Sequence, residues 1–138
     1  MKILLAVDGS EHTKHMLAWL VTHPEWLGSR HQYTVLNVVP PIPPHAMEFL
    51  DPDVLRAYGP DQAEAVFEPV RVFLARHGIE ATYTHRVGYA GDEISDLAKD
   101  HDMLVMGSHG RGALSSLVMG SVATRVLGSC KTPVLLIR

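Results

Sequence analysis

The sequence predicts a single-domain α/β protein, residues 1–138, with a doubly wound parallel sheet of five strands and helices on both faces. Apolar runs of strand length alternate with segments whose apolar residues recur at helical spacing, in the order βαβαβαβαβ. Such alternation requires right-handed crossovers, which cover both faces of a sheet. The opening run, Lys2–Val7, is typical of a strand buried on both faces. The length suits one core, whereas two domains would each lie near the lower size limit.

Composition and charge exclude several functional classes. Hydrophobic residues make up 46% and charged residues 20%, which is typical of a globular protein. The net charge of −3 argues against a general nucleic-acid binder. No apolar run reaches the ~18 residues of a membrane span, and the run before Asp8 is too short for a signal-peptide core. The single cysteine, Cys130, favours a reducing compartment, so we expect a cytoplasmic protein with no membrane or nucleic-acid partner.

After the first strand, Asp8-Gly9-Ser10 predicts a tight turn and a helix N-cap, and the helix ends near Pro24. Taken alone, Asp8 would be an ordinary turn residue that bonds the backbone near Ser10. The second strand is predicted at Gln32–Val39, which is rich in β-branched and aromatic residues.

Prolines interrupt the chain after the second strand. We expect residues 40–60 to form a long connection, with a short helical piece around Asp53–Tyr58. Because it leaves the strand at the end where a ligand would bind, this connection is a candidate lid that orders only partly without ligand. A helix follows over Asp61–His77, and Gly78 fits its C-cap.

The remaining elements are three strands and two helices. Strands are predicted at Ile79–Val87, Met103–Met106 and Pro133–Ile137. Asp92 is expected to cap the first of the two helices, and Gly120–Ser129 forms the last one. In parallel sheets of this kind ligands bind at the carboxyl ends of the strands, where the strand order reverses.

A glycine-rich loop follows the fourth strand, Gly107-Ser108-His109-Gly110-Arg111-Gly112, and Gly120-Ser121 opens the last helix. Glycines permit positive φ and close approach to a ligand, and successive N–H groups beside a helix N-terminus bind phosphate. The loop has no lysine for a Walker A motif, and the turn after the first strand lacks the dinucleotide fingerprint. A turn that merely links strand to helix is the alternative.

The spacing Gly107-x2-Gly110-x9-Gly120-Ser121 resembles G-x2-G-x9-G-[S/T], the ATP-binding signature of the universal stress protein family. The resemblance extends to the opening at residues 3–10, to Val35–Val39 with the prolines after it, and to the ending Pro133–Ile137. It implies the strand order 3-2-1-4-5 and ATP as the ligand. In that order Asp8 faces the loop that begins at Gly107.

The resemblance also implies roles for individual residues. Asp8 would contact the ribose, with Ala6 and Val7 beside it, and Val38 would hydrogen-bond the adenine through its backbone. Met106 and Gly107 would line the nucleoside, while His109, Gly110, Gly120, Ser121 and Val122 would surround the phosphates. Gly112 is a further candidate cofactor-binding residue of the loop. Arg111 would either add charge at the γ-phosphate or be a solvated loop residue. Ser121 would help the phosphates to hold Mg²⁺.

Three functions remain open at this point. The first is a cytoplasmic ATP-binding stress-response module, the second a slow ATPase or nucleotidyl-handling enzyme, and the third a nucleotide-free structural or chaperone-like dimer. We expect ATP to be retained, because no carboxylate in the loop serves as a base. His12 and His15 are expected on the surface, since no third metal ligand accompanies them. The apolar edge strand Pro133–Ile137 is expected to pair with its copy in a homodimer, as the resemblance implies.

Overall fold

In a computed structural model, the protein consists of a parallel sheet with helices on both faces. The structure describes residues 1–110 and 119–138. The elements, in chain order, are β1 (Lys2–Ala6), α1 (Glu11–Val21), β2 (Gln32–Val39), α2 (Pro44–Met47), α3 (Pro52–Arg76), β3 (Ala81–Val87), α4 (Ala90–Ala98), β4 (Met103–Gly107), α5 (Ser121–Ser129) and β5 (Val134–Ile137). The strand order is β3-β2-β1-β4-β5, which confirms the predicted fold class and topology.

The central strand β1 marks the point where the strand order reverses. It pairs in parallel with β2 on one side and with β4 on the other, so that Ala6 lies between Leu36 and Met106. The carboxyl ends of these three strands therefore meet at one edge of the sheet. This edge is where doubly wound folds bind ligands.

Alternation along the strands sends neighbouring side chains into two separate cores. Leu5 and Val7 pack in the core that the sheet forms with α1 and α3, where Met16 and Leu74 are fully buried. Leu4 and Ala6 face the opposite layer, which contains the buried residues of α4 and α5. The two residues before Asp8, Ala6 and Val7, therefore pack in different cores.

The structure corrects the prediction for residues 40–60. Helix α3 begins at Pro52, where the Asp51 carboxylate accepts a hydrogen bond from the Asp53 N–H at 2.9 Å. Pro60 and Pro69 lie inside this helix on its exposed side, so the carbonyls that lose their helical donors there stay near water. Its buried side packs against the sheet, and this packing overrides the local preference of the prolines.

The predicted end of α3 is confirmed, whereas the predicted N-cap of α4 is wrong. Gly78 adopts a φ of +68° directly after the C-cap of α3, and the Ile79 N–H reaches the Leu74 carbonyl at 2.9 Å, which confirms the predicted stop. Asp92 was expected to cap α4, but the N-cap is Tyr89. Asp92 instead lies in the first turn, where its charge favours the helix dipole.

Candidate functional site

A small cavity lies at the carboxyl ends of β1, β2 and β4, at the start of α5. Most of the residues that the sequence assigned to a nucleotide line it: Ala6, Val7, Asp8, Val38, Met106, Gly107, His109, Gly110, Gly120 and Val122. Ser121 is exposed and is not part of this lining. Arg111 and Gly112 fall outside the described residues. The structure therefore brings the two glycine groups and the end of β1 together, as the sequence predicted.

Asp8 is held in place by the turn and by the first helix. Its Oδ1 atom accepts hydrogen bonds from the Ser10 N–H and the Thr13 hydroxyl, both at 2.9 Å. The Asp8 N–H in turn donates to the Thr13 hydroxyl oxygen at 3.1 Å. Both readings of Asp8 are therefore compatible, because Oδ1 forms the turn bond while the residue also lines the cavity.

The second carboxylate oxygen of Asp8 lies against the glycine loop. A Cβ built on Gly110 would stand 2.6 Å from the Oδ2 atom, closer than any real Cβ contact. Gly110 therefore lets the carboxylate and the loop backbone approach each other directly. A hydroxyl-bearing ligand at this point would meet a carboxylate acceptor beside backbone amides.

The described glycines of this region, Gly107, Gly110 and Gly120, permit close packing and do not have a left-handed backbone, which corrects one expectation. Among the described residues, only Gly9 and Gly78 have positive φ. Gly120 has a φ of −72°, and a Cβ there would lie 3.1 Å from the His109 Cα and 3.2 Å from the Ser108 oxygen. A side chain at Gly120 would consequently press on the turn that precedes it.

The amide of Gly120 is also not where the sequence placed it. The Gly120 N–H donates to the Ser108 carbonyl at 2.7 Å, so it is bonded within the protein and does not point at a phosphate. The first bond of α5 runs from the Thr124 N–H to the Gly120 carbonyl at 3.0 Å. The N–H groups of Ser121, Val122 and Ala123 precede that bond and have no helical acceptor, so they are the donors this helix offers an anion.

Apolar side chains form the inner wall of the cavity, and sequence reasoning missed several of them. Leu36, Ala90, Ile94 and Ala123 line it together with Thr13. Leu36 precedes Val38 by two residues on β2, and this period of two was the signal that could have identified it. The residues from α4 and α5 could not be assigned, because their contact depends on how the two helices pack across the sheet.

A buried amide fixes the end of β1. The Asn37 side chain is 5% exposed and donates to the Val7 carbonyl at 2.9 Å. The Val7 N–H donates to the Leu36 carbonyl at the same distance. Both backbone groups of Val7 are thereby satisfied where the strand ends, which sets the direction in which the chain continues to Asp8.

Histidines approach one another beside the loop, which corrects the expectation for His12. The ring centroids of His12 and His109 are 5.0 Å apart, and His15 lies 6.2 Å from His12. The Nδ1 atom of His12 is shielded from solvent and has no hydrogen-bond partner among residues 1–110 and 119–138, so His12 is half-buried and not at the surface as expected. Within residues 1–110 and 119–138, no group of His, Cys, Asp or Glu side chains is arranged to hold a metal ion.

The cavity has a volume of about 80 Å³. Pockets for small molecules usually span about 300–1,000 Å³. The cavity would therefore have to widen to admit a nucleotide. None of residues 40–60 belongs to the described lining of this cavity, so the idea that the segment forms a lid stays a prediction.

Outside the site, an ion pair joins α4 and α5. The Arg125 Nε atom donates to Asp92 at 2.8 Å across the exposed faces of these helices. Cys130 is half-buried, with its Sγ atom 3.7 Å from the Thr132 carbonyl. None of the described helices combines the length and the apolar character that crossing a membrane requires.

Comparison with known sequences identifies the family. The model of the universal stress protein family matches residues 1–138. The universal stress protein in the QAH/OAS sulfhydrylase 3′ region of Thermus aquaticus is 30% identical over 139 residues, covering 99% of this chain and 97% of that protein. A universal stress protein of Mycolicibacterium smegmatis is 46% identical over 41 residues, which span 30% of this chain and 14% of that protein.

Solved structures agree with this result. Protein MJ0577 of Methanocaldococcus jannaschii superposes with a TM-score of 0.81 at 26% identity, covering 99% of this chain and 94% of that one. An Arabidopsis thaliana family member with AMP bound gives 0.70 at 19% identity, covering 99% and 90%. A universal stress protein in complex with cAMP gives 0.63 at 20% identity, covering 100% and 96%, and these last two show the shared fold. The chain belongs to the universal stress protein family.

Proposed function

We propose that this chain is an ATP-binding universal stress protein that acts in the cytoplasm and retains its nucleotide. One observation supports the proposal above the others: Asp8 Oδ2 lies so near Gly110 that a Cβ on the glycine would stand 2.6 Å from it, and both residues line an apolar cavity. A ribose needs a hydroxyl acceptor at that position, and an adenine needs apolar walls behind it. The AMP-bound and cAMP-bound relatives make an adenine nucleotide the natural ligand class to test.

The residues in and beside the cavity offer a contact for each of the three parts of a nucleotide, although the cavity must widen to admit one. Val38 and Met106 supply apolar contacts for the base, and Asp8 supplies a carboxylate for the ribose. The amides at the start of α5 supply donors for the phosphates, aided by the positive end of the helix dipole. Ser121 is exposed at the first position of that helix, where its hydroxyl would meet a Mg²⁺ ion carried by the phosphates.

Retention is proposed over hydrolysis because of how Asp8 is bonded. It is the carboxylate of the described lining, and its Oδ1 atom is already held by Ser10 and Thr13. A general base must reach the attacking water, and a side chain fixed by its turn and needed for the ribose is poorly placed to do so. The protein would then signal through whether ATP is bound, and not through ATP hydrolysis.

A direct test begins with the protein purified from cells. Mass spectrometry of the released ligand should identify ATP, and calorimetry on the stripped protein should show tighter binding of ATP than of ADP or AMP. Asp8→Asn should lower the affinity at least tenfold, while Asp61→Asn on the exposed side of α3 should leave it unchanged. Equal affinity in both variants would contradict the site.

We also propose that β5 pairs with its copy in a homodimer. β5 lies at one end of the sheet order and pairs only with β4 among the described strands. Val134, Leu135 and Leu136 are each half-buried there. An open apolar edge of this kind invites pairing with another strand.

A further inference from the structure

An open groove lies between residues 41–60 and the carboxyl end of β3. Its volume is about 540 Å³, and Ile42, Met47, Leu55 and Val87 give it apolar walls. None of the residues in its described lining belongs to the described lining of the cavity beside Asp8. The groove is therefore separate from the proposed nucleotide site.

Large apolar side chains lie exposed in and beside this groove. Phe49 is 85% exposed, and Met47, Val54 and Val87 are each about half exposed. No residue of α2 is buried, so this short helix contributes to neither core. Contiguous apolar surface of this kind on a protein marks an interaction site.

The same segment contains the whole net charge of the protein. Residues 40–61 have a net charge of −3, which equals that of the full chain, so the remainder is neutral. The charged side chains of the segment are four exposed carboxylates and one guanidinium: Glu48, Asp51, Asp53, Asp61 and Arg56. Arg56 is already paired with Asp53. Glu48 and Asp61 directly follow the groove residues Met47 and Pro60, so a partner in the groove meets negative charge beside it.

This charge decides between the possible occupants. A second copy docked through the same surface would place two acidic segments against each other, and nucleic acids and anionic membranes have the same sign of charge. The proposed homodimer contact, β5, lies at the opposite end of the strand order from β3. A protein segment that combines basic with apolar side chains is complementary to the groove.

The walls of the groove favour a helical segment over an extended one. Pro41 and Pro60 have no N–H to donate, and β3 contributes only His85 and Val87, too little for a ladder of hydrogen bonds. An extended peptide needs such bonds for its own backbone, whereas a helix satisfies its backbone internally and requires only apolar contacts. We propose that this groove docks a short amphipathic helix of a partner protein, with apolar residues at i, i+4 and i+7 and lysine or arginine beside them.

A peptide-display selection on the full chain tests the proposal. The library consists of random peptides of about 15 residues, roughly four helical turns. Enriched peptides should have a net positive charge and apolar residues at the i, i+4, i+7 spacing. Methyl NMR with an enriched peptide should show saturable shifts at Ile42, Leu55 and Val87. Absence of enriched binders, or enrichment of acidic or proline-rich sequences, would overturn the proposal.

Two variants that add the same charge distinguish the groove from the rest of the surface. Met47→Lys places a cation among the apolar side chains and should lower the affinity for the enriched peptide about tenfold or more, measured by fluorescence anisotropy. Val72→Lys is the matched control, because Val72 is 41% exposed where Met47 is 44%, and it lies on α3 outside the described lining. It should bind as the parent does. Equal affinity in the two variants would overturn the site.

The charge complementarity has its own test. Glu48→Gln should weaken peptide binding about two- to fivefold and reduce its dependence on salt. Glu25→Gln changes an equally exposed class of residue that does not line the groove, so it should alter neither. Equal effects of the two would contradict the role of charge. Self-association above the mass of a dimer, or co-sedimentation with phosphatidylserine vesicles, that Phe49→Ala abolishes would assign the groove to one of those occupants and overturn the proposal.

Discussion

The Oδ2 atom of Asp8 and the α-carbon of Gly110 are so close that a Cβ on the glycine would stand 2.6 Å from the oxygen. Gly110→Ala must therefore displace the carboxylate or the loop. Because Asp8 Oδ1 is bonded to the turn and to α1, we expect the loop to shift and nucleotide affinity to fall at least tenfold. Calorimetric titration with ATP measures this loss.

Gly128→Ala is the matched control. Gly128 lies near the end of α5, and a Cβ built there has nothing within 4 Å. Alanine in place of a helical glycine should raise stability by up to about 1 kcal/mol while ATP affinity stays at the parent value. Equal ATP affinity in Gly110→Ala and Gly128→Ala would show that the contact with Asp8 does not matter for the ligand.

Gly120→Val tests the start of α5. From the glycine motif alone, this variant is expected to lose ATP binding and to keep its fold. The structure predicts a loss of stability as well, because Gly120 is buried and a Cβ there would press on His109 and Ser108. For the parent, ATP at about 100 times its Kd should add roughly 2.7 kcal/mol to the free energy of unfolding.

Thermal unfolding with and without ATP separates the two effects in Gly120→Val. We expect a lower Tm without ligand and almost no ATP-dependent shift. Ser121→Ala, at an exposed position, should keep the parent Tm and lose only part of the shift. A full ATP-dependent shift in Gly120→Val would mean that the nucleotide binds elsewhere.

Thr13→Val removes the hydroxyl that both donates to and accepts from Asp8. The change keeps the side-chain shape but leaves the Asp8 N–H without its partner, at a cost of about 1–3 kcal/mol. We expect lower stability in denaturant unfolding and weaker ATP binding. Thr13→Ser should restore most of both, since it returns the hydroxyl. Weak binding in both variants would assign the effect to packing.

Tyr33 should make the protein sensitive to alkaline pH. The phenol is 4% exposed, its oxygen accepts from the Gly28 N–H at 2.8 Å, and its O–H lies 2.9 Å from the Gly28 carbonyl and 3.0 Å from the Trp26 carbonyl. Burial raises its pKa above the usual value of 10. The stability that the neutral phenol provides is therefore complete below pH 10 and is lost as the pH rises through the raised pKa.

Denaturant unfolding at several pH values measures this effect. Tyr33→Phe should lower stability at neutral pH by about 1–3 kcal/mol, because buried partners lose their bonds, and should flatten the decline above pH 10. Tyr89→Phe is the control, since Tyr89 is 77% exposed. An unchanged alkaline decline in Tyr33→Phe would assign it to other groups.

The proposed homodimer is tested by measuring the mass of the protein in solution by light scattering. The parent should have twice the mass of the chain at micromolar concentration. Leu136→Lys places a charge on the β5 edge and should give a folded monomer, as judged by circular dichroism. Val72→Lys, on an exposed apolar residue of α3, should remain dimeric. A monomeric parent would contradict the proposed pairing.

Prediction from sequence succeeded where a local pattern determines the outcome. The continuous apolar run of β1 and the stop at Gly78 follow from periodicity and from backbone sterics, and the family resemblance supplied the strand order. Helix α3 was missed at its start, since Pro52 and Pro60 argue locally against a helix that packing on the sheet stabilises. The places of Ile94 and Ala123 in the cavity wall depend on tertiary contacts that no local pattern indicates. The same is true of the hydrogen bond that the Gly120 N–H donates to Ser108.

Ala6 packs in the layer of α4 and α5, whereas Val7 packs in the layer of α1 and α3. The two residues that lead into Asp8 are thus anchored in opposite halves of the protein. Unfolding of either half would free one of these two residues and disrupt the cavity, so partial unfolding abolishes the site. A bound ligand would accordingly slow amide hydrogen exchange in both halves at once, and the protein would open as one cooperative unit.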